Sequence, residues 1–203
     1  MTSPRRRSAL PAVAIVVVVA IVGTLAGCRQ APLDPGFRSP SADESAPPTV
    51  ARVDYLVPAG FVETYAYTTG SHLYPVPTVE HLIPVEAVDD YTNLDVIGVI
   101  SYLMDIDVSD WSEDQRAEQV AEYVASVGAP TGDPISSTVD GRPAITVPVS
   151  EPATNDPDLV YTYDATYIFA GIHLVQVQCQ YRDRQEAVKQ ACTALLDSMR
   201  IVG

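Results

Sequence analysis

The chain has 203 residues, enough for one ordinary domain and too few for two once any processed or linking segment is subtracted. Twelve Lys and Arg against 26 Asp and Glu give a net charge of −14, with Lys189 the only lysine. Nucleic acid is excluded as a partner, because phosphate binding requires clustered cations. With 47% apolar and 19% charged residues, the chain as a whole is not disordered.

Residues 1–27 read as an export signal. Arg5, Arg6 and Arg7 form a positive head, and an almost unbroken apolar run follows from Ala9 to Val22. The segment closes on Leu25, Ala26, Gly27 and Cys28, which resembles the lipobox of bacterial lipoproteins at all four positions. That resemblance implies cleavage just before Cys28, diacylation of its thiol, and a protein held on the outer face of the cell membrane. Two or three acyl chains anchor stably where one is marginal, since each buried methylene contributes about 0.8 kcal/mol. The alternative is an uncleaved transmembrane anchor, since roughly 18 apolar residues nearly span a bilayer. Both place the rest of the chain outside the cytoplasm.

From Cys28 to about Arg52, five prolines (Pro32, Pro35, Pro40, Pro47, Pro48) and many Ser and Ala leave no periodic apolar face, as expected of a disordered tether. Such a segment reaches roughly 25 to 75 Å, depending on how much of it is polyproline-like. Cleavage removes three arginines and no acids, leaving nine cations against 26 acids and a net charge of −17. An anionic membrane repels that charge. It reads as a solvated face, with a cationic partner as the other possibility.

Residues 53–203 read as one globular domain, large enough to bury about 70% of its extended surface. Val53–Val57, Phe61–Tyr67 and Leu82–Val88 have strand composition, with Pro58, Ala59 and Gly60 as a turn. Asn93–Asp107 is branched, aromatic and apolar on both parities, predicting a central strand. Ser112 and Gln115 have capping-box spacing ahead of Ala117, Val120, Ala121 and Val124, predicting a helix that Gly128 and Pro130 stop. Ile135–Val139 and Arg142–Val149 flank Asp140-Gly141, the signature of a type I′ hairpin. Leu159–Ala170 and Ile172–Tyr181 form another antiparallel pair, in which Val175, Val177, Cys179 and Tyr181 share the face expected to look inward and Gln176, Gln178 and Gln180 the other. Gln185–Arg200 carries an apolar helical stripe, with Asp183 and Glu186 available to cap its start. Strands, helix, strands and a closing helix define an α+β class with an antiparallel sheet covered by helices.

With Cys28 assigned to lipid, Cys179 and Cys192 remain as a pair in an oxidising compartment. One lies on the inward face of the last long strand and the other on the apolar stripe of the helix packing there, which predicts a disulfide; two buried thiols are the alternative. Their spacing fits neither a zinc site nor a redox motif, and no metal or cofactor is expected.

The "VPAGF" run from Val57 to Phe61, the "DGRPA" hairpin from Asp140 to Ala144, the two cysteines and the C-terminal "LLDSMR" resemble actinobacterial LpqN/LpqT-type lipoproteins, over residues 53–203 plus the lipobox. That resemblance implies a PsbP-like α/β/α sandwich serving as a binding or adaptor module at the envelope, and it supplies no catalytic residue.

No GxSxG, SxxK, Walker or HExxH pattern occurs. His173 falls on the inward parity of its strand, and reads as a sheet histidine rather than a ligand or catalyst. His81 beside Glu80 reads as a surface pair, and His72 stands apart. Asp89/Asp90, Asp105/Asp107 and Asp156/Asp158 read as turn acids; acid/base work would require burial to separate their pKa values. The Asn155–Asp158 loop could offer oxygens to calcium but lacks the EF-hand pattern. Eleven of 15 aromatics are tyrosines, clustered at Tyr65, Tyr67 and Tyr74 and at Tyr161, Tyr163 and Tyr167. Such clusters suit recognition surfaces as well as ordinary sheets.

The expected protein is a lipid-anchored binding or scaffold lipoprotein with no catalysis of its own, on the extracytoplasmic face of the cell membrane. Its expected partners are the membrane, through its lipid, and an envelope protein or a cell-wall or lipid ligand. The alternatives are a carrier of an apolar envelope ligand, or a hydrolase that gathers His173 or a carboxylate pair with a hydroxyl nucleophile in a cleft.

Overall fold

Ten strands and two helices follow one another in a computed structural model that describes residues 49–65, 78–90, 92–153 and 156–202. The export segment, Cys28 and the tether as far as residue 48 lie outside the described residues. The strands are β1 (Arg52–Asp54), β2 (Phe61–Thr64), β3 (Thr78–Pro84), β4 (Val96–Leu103), β5 (Ala129–Pro130), β6 (Ile135–Val139), β7 (Arg142–Ala153), β8 (Asp156–Ala170), β9 (His173–Gln180) and β10 (Arg200–Val202). Helix α1 (Glu113–Val127) separates β4 from β5, and α2 (Gln185–Ser198) separates β9 from β10.

Eight strands form one antiparallel sheet in the order β2-β3-β4-β9-β8-β7-β5, with β6 also lying along β7. β4, the apolar run of the sequence, is central and buried on both faces as expected. One face carries Ile97, Val99, Ile168, Val175 and Val177 against Val188, Ala191 and Leu195 of α2. The other carries Ile100, Tyr102, Val147, Tyr163, Tyr167 and Leu174 against Val120, Tyr123 and Val124 of α1. The sheet is thus flanked by a helix on each side, an α+β sandwich. Each fully buried aliphatic or aromatic side chain contributes roughly 1.5–3 kcal/mol, so the two clusters dominate stability.

The local signals act as the sequence implies. Ser112 Oγ accepts from the Gln115 amide at 3.2 Å while the Gln115 side chain accepts from the Ser112 amide at 2.8 Å, a complete capping box. Asp140 and Gly141 both have positive φ (51° and 71°), as a type I′ turn requires. Gly128 ends α1 for a tertiary reason: a Cβ there would collide with the Ser150 carbonyl oxygen on β7.

Several expectations are corrected. The third strand runs Thr78–Pro84, earlier than expected, and Val85–Ala87 forms a 3₁₀ turn whose flanking Val85 and Val88 are exposed. The last helix stops at Ser198, and β10 follows, pairing with β1 in a separate two-stranded sheet. The glutamine face of β9 is not outward: Gln176 and Gln180 are buried, because the sheet is covered on both sides. Neither Asp183 nor Glu186 caps α2, since no side chain of its own first turn does so. Asp95, at the entrance to β4, instead ties down the segment that leads into α2. Its Oδ1 accepts from the amides of Arg182, Asp183 and Arg184 at 2.8, 3.1 and 3.1 Å, and Arg184 Nη1 reaches its Oδ2 at 3.0 Å.

Cys179 and Cys192 are bonded to each other, tying β9 to α2 across a sequence separation of 13. Among the described residues no helix is long and apolar enough to cross a membrane.

Candidate functional site

The polar chemistry of the α2 face gathers toward one end of the sheet. The β3–β4 register sets Thr78 beside Ser101 and Glu80 beside Val99. Where β1 passes over this end, a hollow of about 260 Å³ remains, with Ala51, Val53 and Val99 as its apolar wall and Thr78, Glu80 and Ser101 as its polar part. It falls below the roughly 300–1,000 Å³ of pockets that enclose drug-sized ligands. The Tyr55 hydroxyl donates to Glu80 Oε2 at 2.6 Å. Burial, reinforced by that carboxylate, pushes the Tyr55 phenol above its ordinary range, so it stays a donor.

Ser101 pairs with Val175 and Leu103 pairs with His173, so Ser101 and His173 are diagonal neighbours on one face. His173 is buried, as its parity implies, yet its Nδ1 has no hydrogen-bond partner. No Ser–His hydrogen bond is therefore made through that nitrogen. Burial first, and the nearby Arg142 charge second, lower the His173 pKa below the ordinary imidazole value. His81 is also buried, correcting the surface pairing with Glu80: the two point to opposite faces, and burial lowers the His81 pKa. His72 lies outside the described residues.

The sign of the pH dependence follows. Both imidazoles titrate at lower pH in the fold than in the unfolded chain, where the value is about 6.5, so the unfolded chain takes up protons first as pH falls. The stability they contribute is complete above about pH 6.5 and is lost as pH falls through their lowered folded values. In anion-poor buffer the urea midpoint is expected to drop between about pH 7 and pH 5, and to drop less in H173Q. A midpoint unchanged over that interval would contradict the burial of both rings.

Asp90 and Asp107 are turn acids as expected, whereas Asp156 and Asp158 lie at the start of β8 rather than in a turn. Asp90 Oδ1 accepts from the Thr92 hydroxyl and amide at 2.7 and 2.9 Å, and Asp107 Oδ1 from the Ser109 hydroxyl and amide at 2.6 and 2.9 Å. The hydroxyl bonds, first among the causes, hold both carboxyls below their usual value. Asp156 accepts from the Asp158 amide at 3.1 Å, while Asn155 lies outside the described residues. No group of three or more His, Cys, Asp or Glu placed to hold a metal occurs among the described residues.

Of the singled-out tyrosines, Tyr163 and Tyr167 belong to the core under α1 rather than to an open surface. Tyr163 donates to Glu151 Oε2 at 2.8 Å, and Tyr167 lies 5.9 Å from the ring of Tyr123. Tyr161 is half-buried, Tyr65 is 96% exposed, and Tyr67 and Tyr74 lie outside the described residues. Beside them Tyr102 donates to Gln176 Oε1 at 2.9 Å, a buried polar pair that a one-face reading of β9 could not anticipate.

The fold therefore defines a disulfide-tied, two-sided α+β sandwich with a small polar hollow at one end of its α2 face. It is similar to the crystal structure of LpqN, involved in cell envelope biogenesis of Mycobacterium tuberculosis, with a TM-score of 0.51 and 12% identity over 79% of this chain and 88% of that one. At that identity the likeness is one of fold. No family model matches the sequence, and no curated protein matches it significantly.

Proposed function

We propose that this chain is a lipid-anchored lipoprotein on the extracytoplasmic face of a bacterial cell membrane, where its domain serves as a binding or scaffold module without catalysis of its own. The observation that carries this is the Leu25-Ala26-Gly27-Cys28 sequence directly after a basic head and apolar run. Two features support it. The Cys179–Cys192 disulfide suits an exported protein, because cytosolic reductants keep such pairs open. The shared fold with LpqN adds a neighbour involved in cell envelope biogenesis. The module acts by presenting an acidic sandwich at the end of a proline-rich tether, and its repulsion from anionic head groups leaves partners, not the bilayer, as what the domain itself meets.

The test is C28A. The wild-type chain is expected to fractionate with membranes, in detergent-soluble form, at a mass that includes acyl groups and lacks residues 1–27. C28A is expected to carry no lipid and to remain unprocessed. A C28A protein with the same mass shift and membrane partition as the wild type would overturn the lipid anchor.

A further inference from the structure

Two buried side-chain nitrogens have no hydrogen-bond partner among the described residues, Arg142 Nε and His173 Nδ1, and they lie at the same end of the α2 face. Each residue opens its strand directly after a turn, Arg142 after Asp140-Gly141 and His173 after Gly171-Ile172. The register aligns them. His173 pairs with Ala170, and extending the Ala144–Ile168 pairing of β7 and β8 by two residues brings Arg142 opposite the same Ala170. The three form a lateral row in which only a methyl group separates two long polar side chains. Two strand spacings put the outer Cα atoms roughly 10 Å apart.

Arg142 is held at one end, its Nη2 donating to the Ile201 carbonyl at 2.9 Å. None of the described ion pairs includes it. The acid of its own turn, Asp140, accepts from the Ile201 amide at 2.9 Å and lies 3.8 Å from Arg200. His173 is only 8% exposed. Native proteins seldom leave buried donors unpaired without a water or ion to meet them.

We propose that Arg142 and His173 together receive a small carboxylate, one oxygen accepting from Arg142 Nε–H and the other from His173 Nδ1–H above the methyl of Ala170. Two charge-assisted bonds of about 2.8 Å each, plus the breadth of a carboxyl group, fit between side chains rooted that far apart. One fixed cation and two donors suit a planar monoanion better than a phosphate, which presents more charge and more acceptors than the row can meet. Binding would also reverse the electrostatics of the row, since a bound anion favours the protonated ring that Arg142 disfavours. Membrane fractionation depends on Cys28 and anion binding on Arg142 and His173, so either proposal can fail while the other stands.

The experiment uses the full chain in nanodiscs with ¹⁵N-labelled histidine. Three histidines give three side-chain signal sets, so His173 is assigned by its absence in H173Q. Acetate is titrated first, then inorganic phosphate, with chloride as the ionic-strength control. Acetate is expected to move the His173 signals saturably and leave those of His72 and His81 in place. In R142Q the acetate affinity is expected to fall by about tenfold or more, the loss of one charge-assisted hydrogen bond. A170V keeps both nitrogens, adds bulk between them and is expected to weaken acetate without removing either donor; it decides the matter if R142Q fails to fold. No saturable shift with any anion, which is the result for an ordered water alone, overturns the proposal. So does binding of phosphate or chloride as tight as that of acetate.

Discussion

Replacing Asp95 with alanine is expected to lower the unfolding free energy by about 3–5 kcal/mol, the range for removing one partner of a buried, hydrogen-bonded charge. The side chain is fully buried and gathers three amides and a guanidinium, so its loss frees the segment leading into α2 and leaves Arg184 with only the exposed Glu86 as an ion partner. Burial alone would push this carboxyl up, but the Arg182 and Arg184 amides, the Arg184 side chain and the Asp183 amide together hold it below its ordinary value. A lowered folded value means stability that is present above the unfolded value of about 3.9 and lost as pH falls through the folded one. Urea unfolding of D95A and D95N at neutral pH measures the effect. A loss under about 1 kcal/mol in both would mean that water replaces the carboxylate without cost.

The second large effect belongs to Cys179–Cys192. Its loop of 13 residues places the entropic stabilisation near 3 kcal/mol. The double variant C179S/C192S is expected to lose about that much, plus the cost of two buried hydroxyls in place of a sulfur bridge. For a domain of this size the melting temperature should fall by roughly 6–12 °C. Reductant should lower the melting temperature of the wild type toward that of the variant and leave the variant unchanged. Equal melting temperatures for oxidised and reduced wild type would remove the disulfide from the stability of the domain.

What the sequence discloses about this fold is mostly local or periodic. Asp140-Gly141, the Ser112/Gln115 box and the two-faced run of β4 each declare themselves within a few residues. The disulfide is legible because strand and helix parity independently point both thiols at one layer. What escapes is long-range. Asp95 and the amides it binds are 87 to 89 residues apart, so a local reading points to Asp183 and Glu186 instead. The glutamines of β9 look solvent-facing only if one face of the sheet is covered; Gln176 and Gln180 are buried because the other face is covered too. The strand at Thr78–Pro84 was displaced in expectation by Val85 and Val88, apolar residues that the fold leaves exposed in a turn. Of the site, His173's parity could be read, but its alignment with Arg142 across Ala170 exists only once three strands are in register.

The pairing of β1 with β10 carries a practical consequence. Arg52 sits opposite Val202, so the polypeptide enters and leaves the sandwich side by side, about 5 Å apart at the backbone. A reporter fused downstream of Val202 would emerge beside Arg52, at the start of β1. Tags intended to leave the far end of the sandwich unobstructed are therefore well placed there, while mechanical load applied through both termini would unzip three residue pairs before reaching the main sheet.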